Sequence, residues 1–203
     1  DFLPYKTRRL RLMTSMVENA VALVPAALQK IRSRDTHFRF RQDSDFWYLS
    51  GFDEPDALIV LIPGRSHGES ILFCAEPDPK TALWDGEQIG PERAVSEYGF
   101  DDAFPLDDLD DILPGLMEGR EHVYYSVGTR LDFDQKVLAI LAHLRQHASS
   151  LSLAPGDLID LHRLLHEHRL IKESVELGAM RKAADITVAG HKAAMRAAAP
   201  GVY

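Results

Sequence analysis

Several short stretches of this 203-residue sequence hold side chains whose types and spacing could do chemistry. "GRSHG" (64–68) fits the pattern G-x-S-x-G, with Ser66 as a nucleophile and His67 beside it. That mechanism needs a strand, a sharp turn, and then a helix whose N-terminus faces the oxyanion. Here "ESILFC" follows, which is strand-like, so the glycines read as a hairpin loop and the nucleophile is rejected. "HRLLHEH" (162–168) sets His162 and His166 four apart on one helical face, a spacing that can chelate zinc. No H-E-x-x-H occurs, and Glu167 would point away from that face, so an amphipathic linker helix is the expectation for His162, His166 and His168. "DDAFPLDDLDD" (101–111) lacks the alternating oxygen ligands and central glycine of a calcium loop, and reads as solvated helix ends.

Two aromatic stretches remain. "LWDGEQIG" (83–90) places a tryptophan beside an acid and a glycine, either as an exposed platform or as a core residue ending an element. "FRFRQDSDFWYLSGF" (38–52) packs six aromatics into fifteen residues, with arginines and aspartates between them. Composition favours core packing there. Asp43 or Ser44 would cap a helical turn that buries Phe46 and Tyr48, and Gly51 would supply its left-handed stop.

The elements that must position these residues read as α/β. Residues 5–18 suit an amphipathic helix with Leu10 and Met13 buried and the arginines of "KTRRLRLM" solvated. "AVALV" (20–24) and the continuously apolar "ALIVLI" (57–62) read as strands, the second central and covered on both faces. Pro63-Gly64 ends it, and "SILFCA" (70–75) is a hairpin partner. A helix over 107–118 would turn Leu109, Ile112 and Leu116 inward. "HVYYSV" (122–127) is a strand, and residues 133–147 are a helix with Val137, Ile140, Leu141 and Leu144 on one stripe. "ASSLSLAPGD" (148–157) is a composition shift that reads as a linker start, after which Asp157 could cap a helix. Ser174 is expected to cap a long helix to about Ala199, with Leu177, Met180, Ala184, Val188 and Met195 inward.

The totals exclude some classes. A formal charge of −8 argues against nucleic-acid and anionic-membrane partners. No apolar run is long enough to span a bilayer, and the first 25 residues lack the order of a signal peptide. The single cysteine, Cys74, lies in an apolar run and reads as a buried thiol in a reducing compartment, which favours the cytoplasm. A start at Asp1 and the helix stop Pro200-Gly201 suggest a segment of a longer protein.

"FRFRQDSDFWYLSGFDEPDALIVLIPG" (38–64) closely resembles the N-terminal domain of bacterial aminopeptidase P, the Xaa-Pro aminopeptidase family. Residues 41–55 fit the family pattern Arg-Gln-(Asn/Asp)-Ser-Asp-Phe-Trp-Tyr, then Gly-Phe-(Asn/Asp)-Glu-Pro, at nearly every place. "HEHRLIKESVELGAMRKAADIT" (166–187) resembles the junction at which the family's catalytic domain begins, and "LWDGEQIG" its Trp-x-Gly segment.

The resemblance implies a creatinase/aminopeptidase P N-terminal-type α/β domain over 1–168, a mixed sheet flanked by helices. Residues 169–203 would then be the first helix of an incomplete pita-bread metallopeptidase domain. It implies release of the N-terminal residue from peptides with proline second. Two divalent metals, usually manganese, would be held by two Asp, one His and two Glu downstream, so no residue here is catalytic or a metal ligand. A metal-bridging hydroxide would attack the carbonyl carbon. This segment would serve a homo-oligomer, dimer or tetramer, and wall the active site. By residue matching, Trp84 and Asp35 would line the substrate pocket of a neighbouring subunit. The alternatives are a prolidase acting on dipeptides, or a non-catalytic interaction module on the same scaffold.

Overall fold

In the computed structural model the described residues are 2–148 and 153–201, apart from the side chains of Thr81, Trp84 and Asp85. They fall into two units, Asp1–Leu165 and His166–Tyr203, with the boundary inside one helix.

The first unit opens with α1 (Leu3–Thr14), β1 (Ala20–Pro25), the small hairpin β2 (Ile31–Ser33) and β3 (Thr36–His37), and α2 (Ser44–Ser50). Then come β4 (Leu58–Leu61), β5 (Ser70–Cys74), α3 (Pro79–Asp85), α4 (Gly90–Tyr98), β6 (Asp102–Pro105) and α5 (Leu109–Met117). It ends with β7 (His122–Tyr124), α6 (Leu131–Gln146), β8 (Asp157–Ile159) and α7 (Leu161–Leu170), which carries the boundary.

Six strands form a mixed sheet in the order β6-β5-β4-β1-β7-β8. β4 runs antiparallel to both β1 and β5, whereas β5–β6, β1–β7 and β7–β8 are parallel. Five strands therefore point one way and β4 alone is reversed. Every residue of β4 and β5 is buried, as the continuous apolar runs require of strands covered on both faces. Alternation sorts their side chains: Ala22, Val24, Ile59 and Leu72 pack with residues of α1, α2 and α7. Leu23, Val60 and Phe73 face a second core with α5 and α6. Each fully buried Leu or Ile contributes about 1.5–3 kcal/mol, so the two faces together hold the sheet.

The structure differs from the sequence expectations in specific places. α1 covers residues 3–14; Met13 is buried and Arg11 exposed as expected, but Arg8 and Arg9 are buried and Leu10 is exposed. Helical spacing put a basic face outside; carbonyl groups on neighbouring elements bring it inside. In α5 the fully buried stripe is Leu109, Leu113 and Met117, with Ile112 and Leu116 only partly covered. Asp157 starts strand β8 instead of capping a helix. Hence the segment from 148 to 156, of which 149–152 lie outside the described residues, connects α6 to a strand of the same sheet.

In the second unit, α8 (Ser174–Ala197) is capped by Glu173, not Ser174. The Glu173 side chain receives the amide of Glu176, and the Glu176 carboxylate receives the Glu173 amide at 2.9 Å. Leu177, Met180, Val188 and Met195, expected inward, are exposed. No helix among the described residues is long and apolar enough to cross a membrane.

Candidate functional site

The residues 38–52 resolve into a short helix and its seat. Asp43 Oδ1 accepts the amides of Asp45 (2.9 Å) and Phe46 (3.0 Å), capping α2, and Gly51 closes it at φ 64°. A side chain at Gly51 would also collide with the Tyr5 ring at 2.6 Å, so glycine is required twice over. Phe46, Tyr48, Leu49 and Phe52 are buried, and only Trp47 of the central aromatics reaches solvent, edge-on to Tyr5. Phe46, Tyr48 and Phe52 are core, whereas Phe38 at the start of the segment is exposed.

Two buried arginines from α1 complete that seat. The Arg8 guanidinium stacks 4.3 Å from the Tyr48 ring centroid and donates to the Tyr48 carbonyl. Arg9 donates to the carbonyls of Leu49, Tyr98 and Gly99 and lies over the Phe100 ring. Burial lowers its pKa to about 10, partly offset by Asp101.

The strand directions decide where the candidate residues emerge. The carboxyl ends of β1, β5, β6, β7 and β8 and the amino end of β4 share one edge of the sheet. The segment after β1 carries the hairpin β2–β3, with Arg34 and Asp35 at its turn and Arg34 at φ 50°. Asp35 and every residue of both hairpin strands are exposed. The segment after β5 carries α3, which includes Trp84, whose side chain lies outside the described residues. Asp35 and Trp84 therefore sit on different excursions from the same edge.

A cleft of about 570 Å³ opens at that edge beside β1 and β7, between Pro25, Arg41, Ser126, Arg130 and His162. Ligands of α/β sheets commonly sit outside the carboxyl ends of parallel strands. Its walls are tied by hydrogen bonds. Ser126 Oγ donates to Asp160 at 2.7 Å and accepts the His162 amide at 3.0 Å. Tyr125 donates to Asp134 at 2.7 Å, and Arg130 donates to the Ala26 carbonyl at 2.8 Å. Burial first, and the Asp134 carboxylate second, push the Tyr125 hydroxyl far above its usual pKa, so it remains a donor. On the cleft wall His162 Nε2 lies 3.5 Å from the buried Asp45 carboxylate. Spacing along the helix pointed to His162; its partner comes from α2, with no local signal.

Of the rejected candidates, Ser66, His67 and Asp101 stand at the opposite edge of the sheet. Ser66 and His67 lie in the β4–β5 hairpin loop, where Arg65 binds the His67 and Gly68 carbonyls, and no helix follows. Asp101 is not a solvated helix end. Its Oδ2 accepts the Glu69 and Ser70 amides and the Ser70 hydroxyl, fixing the start of β5. His166 and His168 belong to the second unit.

Comparison with known proteins gives one consistent result. The family model "Aminopeptidase P, N-terminal domain" matches residues 5–124. The Xaa-Pro aminopeptidase of Escherichia coli K12 is 34% identical over 200 residues, covering 98% of this chain and 45% of that protein. Human Xaa-Pro aminopeptidase 3 is 31% identical over 162 residues. Among solved structures, Pseudomonas aeruginosa aminopeptidase PepP superposes with a TM-score of 0.97 at 46% identity, over all of this chain and 46% of that one. A zinc-substituted E. coli aminopeptidase P in complex with product gives 0.95 at 33% identity. The chain spans less than half the length of these E. coli and P. aeruginosa relatives. With the signature helix, the six-stranded sheet and these matches in agreement, the chain belongs to the aminopeptidase P N-terminal domain family.

Proposed function

We propose that this chain is the N-terminal portion of a cytoplasmic, metal-dependent Xaa-Pro aminopeptidase, in which it walls the substrate site of a homo-oligomer and does not cleave bonds itself. One observation carries the reading: the chain matches proteins named Xaa-Pro aminopeptidase from end to end while covering only 45% of the E. coli enzyme. Those names favour the aminopeptidase over the prolidase alternative. The exposed hairpin bearing Asp35 and the α3 segment bearing Trp84 leave one sheet edge, an arrangement that lets both reach a neighbouring subunit.

In this reading the peptide bond before proline is a tertiary amide without an N–H, and a proline ring presents an apolar face. An indole at Trp84 could pack on that face, and Asp35 could hold an arginine or meet the substrate amine. The donors of the first unit do not fit the implied pair of manganese ions. Asp45 and His162 are two ligands, where the family set needs two Asp, one His and two Glu. Bond cleavage is thus assigned to a pita-bread domain beyond this segment. Buried Cys74, its thiol pushed by burial to about 12, is unreactive and suits a reducing compartment.

The test is hydrolysis by the longer protein containing this chain. Release of the N-terminal residue from an Xaa-Pro tripeptide, abolished by chelation and restored by manganese, is expected, with none from residues 1–203 alone. Cleavage confined to dipeptides ending in proline would turn the assignment to a prolidase. Absence of the five metal ligands downstream would leave only an interaction module.

A further inference from the structure

The signature segment ends in Gly51-Phe-Asp-Glu-Pro55, and its Glu54 has a placement that stability alone does not explain. Glu54 Oε1 accepts the Ile89 amide at 2.7 Å, whereas Oε2 is buried with no hydrogen-bond partner. An unpaired buried carboxylate oxygen is costly. Ile89 is the N-cap position of α4 and brings no side-chain cap of its own, so Glu54 caps that helix from a distant loop.

Ile89 also stands at the neck of the excursion that carries α3 and Trp84. The Asp78 amide meets Gln88 Oε1 across that neck, and a Cβ at Gly90 would strike Pro77 at 2.6 Å, so its two strands of chain are in close contact. The other end of the connection is Gln42. Its Nε2 donates to the carbonyls of Phe52 (3.2 Å) and Glu54 (2.9 Å). Its Oε1 accepts the amides of Asp43 and of Ala27, the latter at the base of the hairpin that carries Asp35. A continuous series of hydrogen bonds thus runs from the Asp35 hairpin through Gln42 and Glu54 to the Trp84 excursion.

We infer that Glu54, seated on Gln42, is a positioning residue that fixes the Trp84-bearing segment relative to the Asp35-bearing hairpin. The inference rests on the proposed role of those two residues as walls of the substrate site. The charged and titratable groups facing Glu54 are Arg93 and Tyr98 of α4 and Cys74 of β5. Burial raises the Glu54 carboxyl above its usual range, opposed by the Ile89 amide and Arg93.

The test uses the longer protein, in which Trp84 emission is the difference between spectra recorded with and without Trp84→Phe. Glu54→Ala should shift Trp84 emission and speed hydrogen exchange at the Ile89 amide. It should also raise KM for an Xaa-Pro peptide about fivefold, the scale of one net hydrogen bond, with kcat little changed. Glu54→Gln keeps an acceptor for Ile89 and should restore all three. If Glu54→Ala does not fold, Glu54→Asp, which withdraws the oxygen by one methylene, should give the same shifts. Unchanged emission and exchange in the folded variant overturn the inference, whatever the activity. A shift in emission with unchanged KM upholds the positioning and removes Trp84 from the substrate pocket.

Discussion

Arg9 Nη1 lies 2.8 Å from the Leu49 carbonyl oxygen, so an arginine of the first helix closes the last turn of the second. The same guanidinium reaches the Tyr98 and Gly99 carbonyls at the end of α4. One buried cation therefore terminates two helices, where a carbonyl without a partner would be expensive. Arg9→Met removes the donors and leaves three carbonyls unpaired. It should cost about 3 kcal/mol in urea unfolding, and Arg9→Lys less.

Asp101 sets an acid limit on the fold. Burial alone would raise its carboxyl, but the Ser70 hydroxyl, the Ser70 and Glu69 amides and Lys6 together outweigh that and hold it below the usual range. A depressed folded-state pKa gives stability that is present above the unfolded value and is lost as pH falls through the folded one. The loss should begin below about pH 4. Asp101→Asn should lower stability at neutral pH and flatten this acid limb, read from urea midpoints across pH 2–7.

Asp43 should behave as a cap and not as a ligand. Asp43→Ala is expected to cost about 1 kcal/mol in denaturant unfolding, and Asp43→Asn only a few tenths. A loss for asparagine as large as that for alanine would mean that its charge matters beyond α2.

Trp84 and Asp35 should matter to substrate more than to folding. In the longer protein Trp84→Ala should lower kcat/KM for Xaa-Pro peptides about tenfold, near 1.4 kcal/mol, with an unchanged melting temperature. Asp35→Ala sits on an exposed hairpin and should likewise leave stability within about 0.5 kcal/mol. Unchanged kinetics in an oligomeric enzyme would remove both from the pocket.

The local features were legible in the sequence because each is decided by neighbouring residues. The Asp43 cap, the Gly51 stop and the doubly covered strands β4 and β5 follow from backbone chemistry and from runs of apolar residues. The signature at 41–55 carried the family assignment in the same way. What the sequence could not supply were partners distant along the chain. Arg8 and Arg9 looked like a solvated basic face, because the carbonyls that receive them stand 40 to 90 residues away. The His162–Asp45 pair and the bond from Glu54 to Ile89 are likewise long-range. Only the tertiary structure, by reversing β4 and aligning the other five strands, brings the Asp35 and Trp84 segments to one edge. Strand direction is set by pairing across the whole sheet and leaves no periodicity within any single strand.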